Sequence, residues 1–344
     1  MRKIAKNTLM FLVGAIVGCI LLEIYYQVAE INLPYHELNP NLGKAILPSR
    51  RITYFEEGFY LGKSNEYGYL GPSYPPEKAK EKIRIALIGD SYTEGFYLFE
   101  QHHFSQILER KLNQEFTIPK YEVLNFGIGG HNYNDLVILY KNKIEKFNND
   151  ILIFIIGVSD LDSSETFVPT PLLKMEKDSL IIDYSFTNSN TFKYYSRLSF
   201  LYENSCMMKS LSNVYKLYKR GGVLNEIIFG KFYFAFQKPK REESDANVTP
   251  EKDVDEKVIK SLKWFEEKKV YFVFRADVPN SLQSALKENN ISYTSVLPAL
   301  EMKLASKGIN YRYFDVTNSP NGHWNHAGQI VVAEELYKML KKDE

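Results

Sequence analysis

The chain has 344 residues, 44% of them apolar, with 43 Lys and Arg against 42 Asp and Glu. That length allows one large domain or two small ones, and the neutral charge balance leaves no basic footprint for a nucleic-acid partner. Cys19 lies in an apolar stretch and Cys206 far downstream, so the core is expected to hold without a disulfide between them.

The first 30 residues carry a targeting pattern. Arg2, Lys3 and Lys6 precede an uncharged apolar run from Leu9 to Leu22, followed by Glu23 and then Ile24, Tyr25 and Tyr26. With the interfacial residues included, the run reaches the about 20 residues that a spanning helix needs. No A-x-A-like cleavage site follows it. Ile16-Val17-Gly18-Cys19 has the look of a lipoprotein box, but Ile-Leu-Leu follows Cys19 in place of a polar tether. The expectation is an uncleaved anchor over residues 1–30, contacting the membrane through residues 8–29, with a cleaved or lipidated signal as the rival. Basic residues before the run, and Glu23, Glu30 and Glu37 after it, leave the amino end in the cytoplasm. The protein is then single-pass in the inner (cytoplasmic) membrane, with its body facing the periplasm or exterior.

Residues 31–82 are rich in Pro, Gly, Tyr and Asn and read as an extended lead-in. Asn65-Glu66-Tyr67-Gly68-Tyr69 is expected to be a turn closing a small hairpin, and Tyr74 to Lys82 a solvated linker. From residue 83 to 344 the pattern alternates. Arg84 to Ile88 is a buried strand broken by Gly89-Asp90-Ser91, and a helix runs through Phe104 to Leu112. Tyr121 to Asn125 is a second strand, ending at Gly127-Ile128-Gly129-Gly130. Asp135 to Phe147 is an amphipathic helix. Asp150 to Ile156 is a third strand, apolar after its first residue and so buried on both faces.

Residues 163–252 depart from that rhythm and read as an inserted cap, partly helical. Ile227 to Phe236 either packs on the core or lines an entrance, and Lys238 to Asp245 reads as a mobile loop. Alternation resumes with a helix from Asp253 to Lys268, a strand at Val270 to Phe274 and helices near Ser281 to Glu288 and Leu300 to Lys307. Tyr311 to Asp315 is expected to be the last strand, and Ala327 to Leu340 the closing helix. The fold class is α/β, a three-layer sandwich around a central parallel sheet of flavodoxin-like type.

Ser91, Gly130 and Ser159 each follow a strand of that sheet, so they share its carboxyl edge, where open α/β sheets bind ligands. His323 follows the last expected strand and opens onto the same edge. A serine, a histidine and backbone N–H donors are what acyl transfer requires: a nucleophile, its base and a cradle for the oxyanion. Other readings of single residues remain. Ser91 alone could be a capping serine, and His131 either faces the pocket or is a turn residue. His102, His103 and His326 are expected to be solvated, and His36 has no evident partner. No Cys/His spacing suggests zinc, the glycine turn fails the dinucleotide spacing, and no cofactor is expected.

Taken together, Gly89-Asp90-Ser91, Asn125-x-Gly127-x-x-Gly130, Gly157-Val158-Ser159-Asp160 and Asn321-Gly322-His323-Trp324-Asn325 resemble the four ordered blocks of the SGNH (GDSL-like) hydrolases. The N-terminal anchor, followed by Asn65 to Gly71, also resembles a membrane-anchored bacterial branch of that family. The resemblance implies Ser91 as nucleophile, His323 as base, and Ser91, Gly130 and Ser159 around the oxyanion. Two positions depart from it. Ser159 stands where the family has an asparagine donor, and Asn321 where an acid orients the histidine. Three arrangements would compensate for Asn321: a Ser91–His323 dyad, a backbone carbonyl on His323, or an acid from elsewhere. Asp315 is the first candidate for that acid, its plainer reading being a turn cap. The expected function is a serine esterase or O-acyl (acetyl) transferase acting on an acyl-bearing glycan or lipid of the cell surface. The alternative is a degenerate SGNH-type protein that binds a glycan or partner without turnover.

Overall fold

A computed structural model describes residues 2–55, 57–161, 169–219, 255–265, 267–314 and 322–342 of the chain. Helix α1 (Arg2–Val28) comes first. Two antiparallel pairs follow: β1 (His36–Asn39) with β2 (Gly43–Ile46), and β3 (Arg51–Tyr54) with β4 (Tyr60–Lys63). The central sheet takes β5 (Ile83–Gly89), β6 (Tyr121–Gly127), β7 (Ile151–Ile156), β10 (Lys269–Phe274) and β11 (Ser292–Ser295). Its five strands are all parallel, in the order β11-β10-β7-β5-β6. Numbered along the sheet, this is the flavodoxin-like order 2-1-3-4-5, whose switch point lies between β5 and β7.

The side chains of β5 explain the three layers. Ile85, Ala86, Leu87 and Ile88 are all at 0% exposure, and they alternate between two separate cores. Ile85 and Leu87 face α3 (Phe104–Asn113), α9 (Leu297–Lys303) and α10 (His326–Lys342). Ala86 and Ile88 face α4 (Tyr133–Asn142), α7 (Glu256–Leu262) and α8 (Asn280–Glu288). Burying each large aliphatic side chain contributes about 1.5–3 kcal/mol. A strand that is apolar on both faces is stable only between two layers of helices.

Several expectations are corrected. Tyr311 to Phe314 is not a strand of the sheet: Tyr311 and Arg312 form a turn, and their carbonyls accept the N–H groups of Asn325 and Gly322. Among the described residues the last strand is Ser292–Ser295, a polar, half-buried edge segment with no apolar alternation to announce it. Asn65 to Tyr69 does form a tight turn, but it follows β4 and closes no hairpin. It leads Leu70 onto Asn125, an antiparallel bridge against the edge strand β6. The expected helix from 135 to 147 is α4 plus a 3-10 turn, Ile144–Phe147. Likewise 300–307 is α9 plus a 3-10 turn, Ala305–Lys307. His103 is buried: its Nδ1 accepts the Ser105 N–H and caps α3.

The described part of the insertion is a hairpin, β8 (Leu172–Glu176) with β9 (Ser179–Asp183), then α5 (Asn190–Asn204) and α6 (Cys206–Lys219). Ile227 to Phe236 and the Lys238–Asp245 loop lie outside the described residues.

Candidate active site

Ser91 opens α2 (Ser91–Glu94), one turn directly after β5. Asp90 caps that turn, its Oδ1 accepting the Tyr92 N–H at 3.0 Å. Its other oxygen accepts a hydrogen bond from Arg275 at 3.0 Å, and the same guanidinium nitrogen donates to Asp160 at 2.7 Å. Arg275 also covers the Tyr92 ring at 4.2 Å. The strand ends of β5, β7 and β10 are therefore tied together by one arginine. Arg275 directly follows β10, but a lone charge at a strand end does not reveal what it ties.

His323 meets Ser91 across 232 residues of chain. Its Nε2 lies 2.7 Å from Ser91 Oγ. The ring is held between two tyrosines: Tyr97 stacks at 4.0 Å with a 13° angle, and Tyr92 packs tilted at 4.4 Å. The Tyr97 hydroxyl is 3.0 Å from the same Nε2, and burial pushes its pKa well up, so it stays protonated.

The other imidazole nitrogen faces a carboxylate that sequence reasoning missed. Glu57 Oε2 lies 2.9 Å from His323 Nδ1 and also accepts the His323 backbone N–H at 2.8 Å. A carboxylate at Nδ1 requires the proton there, which leaves Nε2 as an acceptor facing the serine. Burial alone would raise the Glu57 pKa, but hydrogen bonds from His323, its charge and that of Arg312 bring it below the usual value. Glu57 sits in the loop between β3 and β4. That loop is latched to the nucleophile side by Phe59 N–H on the Tyr97 carbonyl at 3.1 Å. The contact is so close that a Cβ on Gly58 would fall 1.9 Å from that oxygen. Asp315 and Asn321 lie outside the described residues.

The glycine turn after β6 presses on α2. A Cβ on Gly127 would sit 2.1 Å from the Glu94 nitrogen, and one on Gly129 would sit 3.4 Å from Ser91 Cβ. Gly130 has φ +80° and is exposed at this edge. Among the described residues, neither the Ser91 nor the Gly130 N–H is given to a protein acceptor. The Gly129–Gly130 peptide is gripped from the lead-in: Lys44 Nζ donates to the Gly129 carbonyl at 2.5 Å. In return, His131 Nε2 donates to the Lys44 carbonyl at 3.0 Å. His131 is buried on this bond. Glu94 accepts the Gly129 N–H, and burial drives its pKa up to about 7. His36 also finds its place here, 3.5 Å from Glu94. Ser159 lies exposed in the 3-10 turn Val158–Leu161 after β7, on the same edge.

The segments of Ser91, Gly130, Ser159 and His323 thus all stand at the carboxyl edge of a 2-1-3-4-5 parallel sheet. The fold is an open, flavodoxin-like α/β sandwich. No family model and no curated protein matches the chain. Among solved structures, it is similar to an acetyl xylan esterase at 15% identity and TM-score 0.38, covering 75% of this chain and 100% of that one. It is also similar to a lipolytic protein of the G-D-S-L family from Veillonella parvula, at 11% identity and TM-score 0.40, covering 75% and 98%. A third is a catalytic mutant of an acetylxylan esterase from Geobacillus stearothermophilus, at 10% identity and TM-score 0.39, covering 76% and 95%.

Proposed function

We propose that the chain is a membrane-anchored serine esterase or O-acyltransferase working through an acyl-enzyme. The observation that carries this reading is the continuous relay Ser91 Oγ–His323 Nε2 and His323 Nδ1–Glu57, at 2.7 and 2.9 Å. Ser91 attacks the ester carbonyl as its proton passes to His323 Nε2. The negative charge that develops on the carbonyl oxygen is met by the N–H groups of Ser91 and Gly130, with the Ser159 hydroxyl nearby. When the carbon–oxygen bond to the leaving alcohol breaks, His323 returns the proton to that alcohol. Water or a sugar hydroxyl then attacks the acyl carbon as its proton passes to His323, and His323 returns that proton to Ser91 Oγ as the serine–acyl bond breaks. Glu57 holds the imidazole in the tautomer that each transfer needs and stabilises the imidazolium.

Lys44 supports the oxyanion site from behind. The Gly129 carbonyl and the Gly130 N–H belong to one peptide plane and point in opposite directions. An ammonium on the carbonyl aims the N–H and polarises it toward the substrate.

The apolar helix α1 is long enough to cross a bilayer, and its flanks favour an uncleaved anchor with the body outside the cytoplasm. An enzyme held there is suited to acyl groups on surface glycans or lipids. A non-catalytic binder is the second reading, favoured by Ser159, whose hydroxyl has a shorter reach than an asparagine side chain.

Labelling of the detergent-solubilised full chain with a fluorophosphonate separates the two. The expected result is labelling that disappears in both Ser91→Ala and His323→Ala. Folded protein that never labels would transfer the argument to the binder, with glycan-array binding as its positive test.

A further inference from the structure

Among the described residues, the elbow between α5 and α6 of the insertion is joined to the end of α1. The Glu23 carboxylate accepts the Ser205 hydroxyl at 2.7 Å and the N–H groups of Cys206 and Met207 at 2.8 and 3.0 Å. Gln27, one turn on, donates to the Asn204 carbonyl at 2.9 Å. Glu23 is the first charge after the uncharged run Leu9–Leu22, so the elbow between α5 and α6 stands at the level where α1 would leave a bilayer.

The inner faces of both helices are occupied. The Tyr195 hydroxyl accepts the Leu38 N–H at 3.0 Å, and Lys209 donates to the Leu33 carbonyl while covering the Tyr35 ring. Their outer faces carry large apolar side chains, with Lys193 and Arg197 exposed among those of α5: Tyr194 is 64% exposed, Leu198 43%, Phe200 75%, Leu201 45%, Leu211 55% and Val214 47%. Tyr194, Leu198 and Leu201 recur at helical spacing, so they form a stripe along α5. The charges in these two segments have one dominant sign. Residues 206–219 contain Lys209, Lys216 and Lys219 and no acid, and residues 190–204 contain Lys193 and Arg197 against Glu203.

We propose that α5 and α6 lie flat on the membrane as an amphipathic collar, with this apolar face at the acyl–headgroup boundary of an anionic lipid surface. Such a face is what interfacial helices bury, and flanking lysines and arginines attract anionic headgroups. The proposal rests on the reading of α1 as an anchor and is independent of the acyl chemistry. The collar would hold the lead-in, and through it Glu57 and Lys44, at a fixed height over the bilayer.

The test uses the full chain carrying Phe200→Trp, reconstituted into phosphatidylcholine–phosphatidylglycerol vesicles with brominated acyl chains. The parent protein corrects for Trp264 and Trp324. Ile118→Trp, at a 76% exposed position before β6, serves as the control. Thermal unfolding checks that each variant folds. The collar predicts that bromines near the headgroup quench the indole introduced at position 200 more than bromines near the chain end. Quenching should weaken without phosphatidylglycerol, and the indole of the control variant should be unaffected. Protein that floats with the vesicles while the indole of Phe200→Trp ignores bromine overturns the collar but leaves the anchor standing. Disulfide crosslinking of Leu211→Cys between chains, without quenching, would assign the face to a second copy and equally overturn it. Protein that does not float at all removes the anchor and the collar together.

Discussion

Among single residues, Glu57 is the group on which the proposed chemistry turns. The block around His323 offers Asn321 where an acid would orient the ring, and an amide there holds imidazole in the wrong tautomer. Glu57 supplies the acid from 266 residues earlier in the chain. If it orients His323, Glu57→Gln lowers kcat by about 10²–10⁴ with little change in KM, whereas Asp315→Asn leaves kcat near that of the parent. Ester turnover by both variants, measured on the same substrate, checks this. The reverse pattern would return the role to Asp315.

One level up, among strands and loops, the lead-in supplies two residues of the proposed catalytic unit. The loop between β3 and β4 brings Glu57 to the histidine, and β2 brings Lys44 to the Gly129–Gly130 peptide. Removing an oxyanion donor typically costs about 10²–10³ in rate. Lys44 only aims such a donor, so Lys44→Met is expected to lower kcat by a smaller factor, about 10–100-fold, with KM nearly unchanged. Lys44→Arg should recover part of the loss, because a guanidinium also reaches and polarises the carbonyl. Steady-state kinetics separate this from a packing defect, which the arginine would not repair.

Over the molecule as a whole, the buried Glu94 makes stability depend on pH. Its pKa rises from 4.5 to about 7 because burial opposes the charge. Between those values the unfolded chain releases the proton while the folded chain keeps it. Glu94 therefore costs nothing below about pH 4.5, and its penalty grows as pH rises toward 7. The full penalty is on the order of 3 kcal/mol, at about 1.4 kcal/mol per unit. Glu94→Gln can still accept the Gly129 N–H. It should gain stability over the parent at pH 8 and little at pH 4.5, as denaturant unfolding at the two pH values would measure.

The alternating core, and the edge on which the four blocks stand, could be read from residue order alone. Ile85 to Ile88 and Leu152 to Ile156 are apolar on both faces, and only a sheet between two helix layers buries both. The glycine turn was legible from its glycines, but the close backbone approach that requires Gly127 was shown only by the fold. The apolar helix α1 was legible from its length and flanking charge. Ser292–Ser295, polar and at the sheet edge, carried no such pattern and gave way to the alternating Tyr311–Asp315. The partner of His323 emerged only once the chain was folded. A hydrogen bond across 266 residues leaves no local spacing to read, and Glu57 in a hairpin loop looks like any solvated acid until the loop is latched onto Tyr97. The same holds for Lys44 and Arg275, whose charges have meaning only once the chain has brought a carbonyl or two carboxylates to face them.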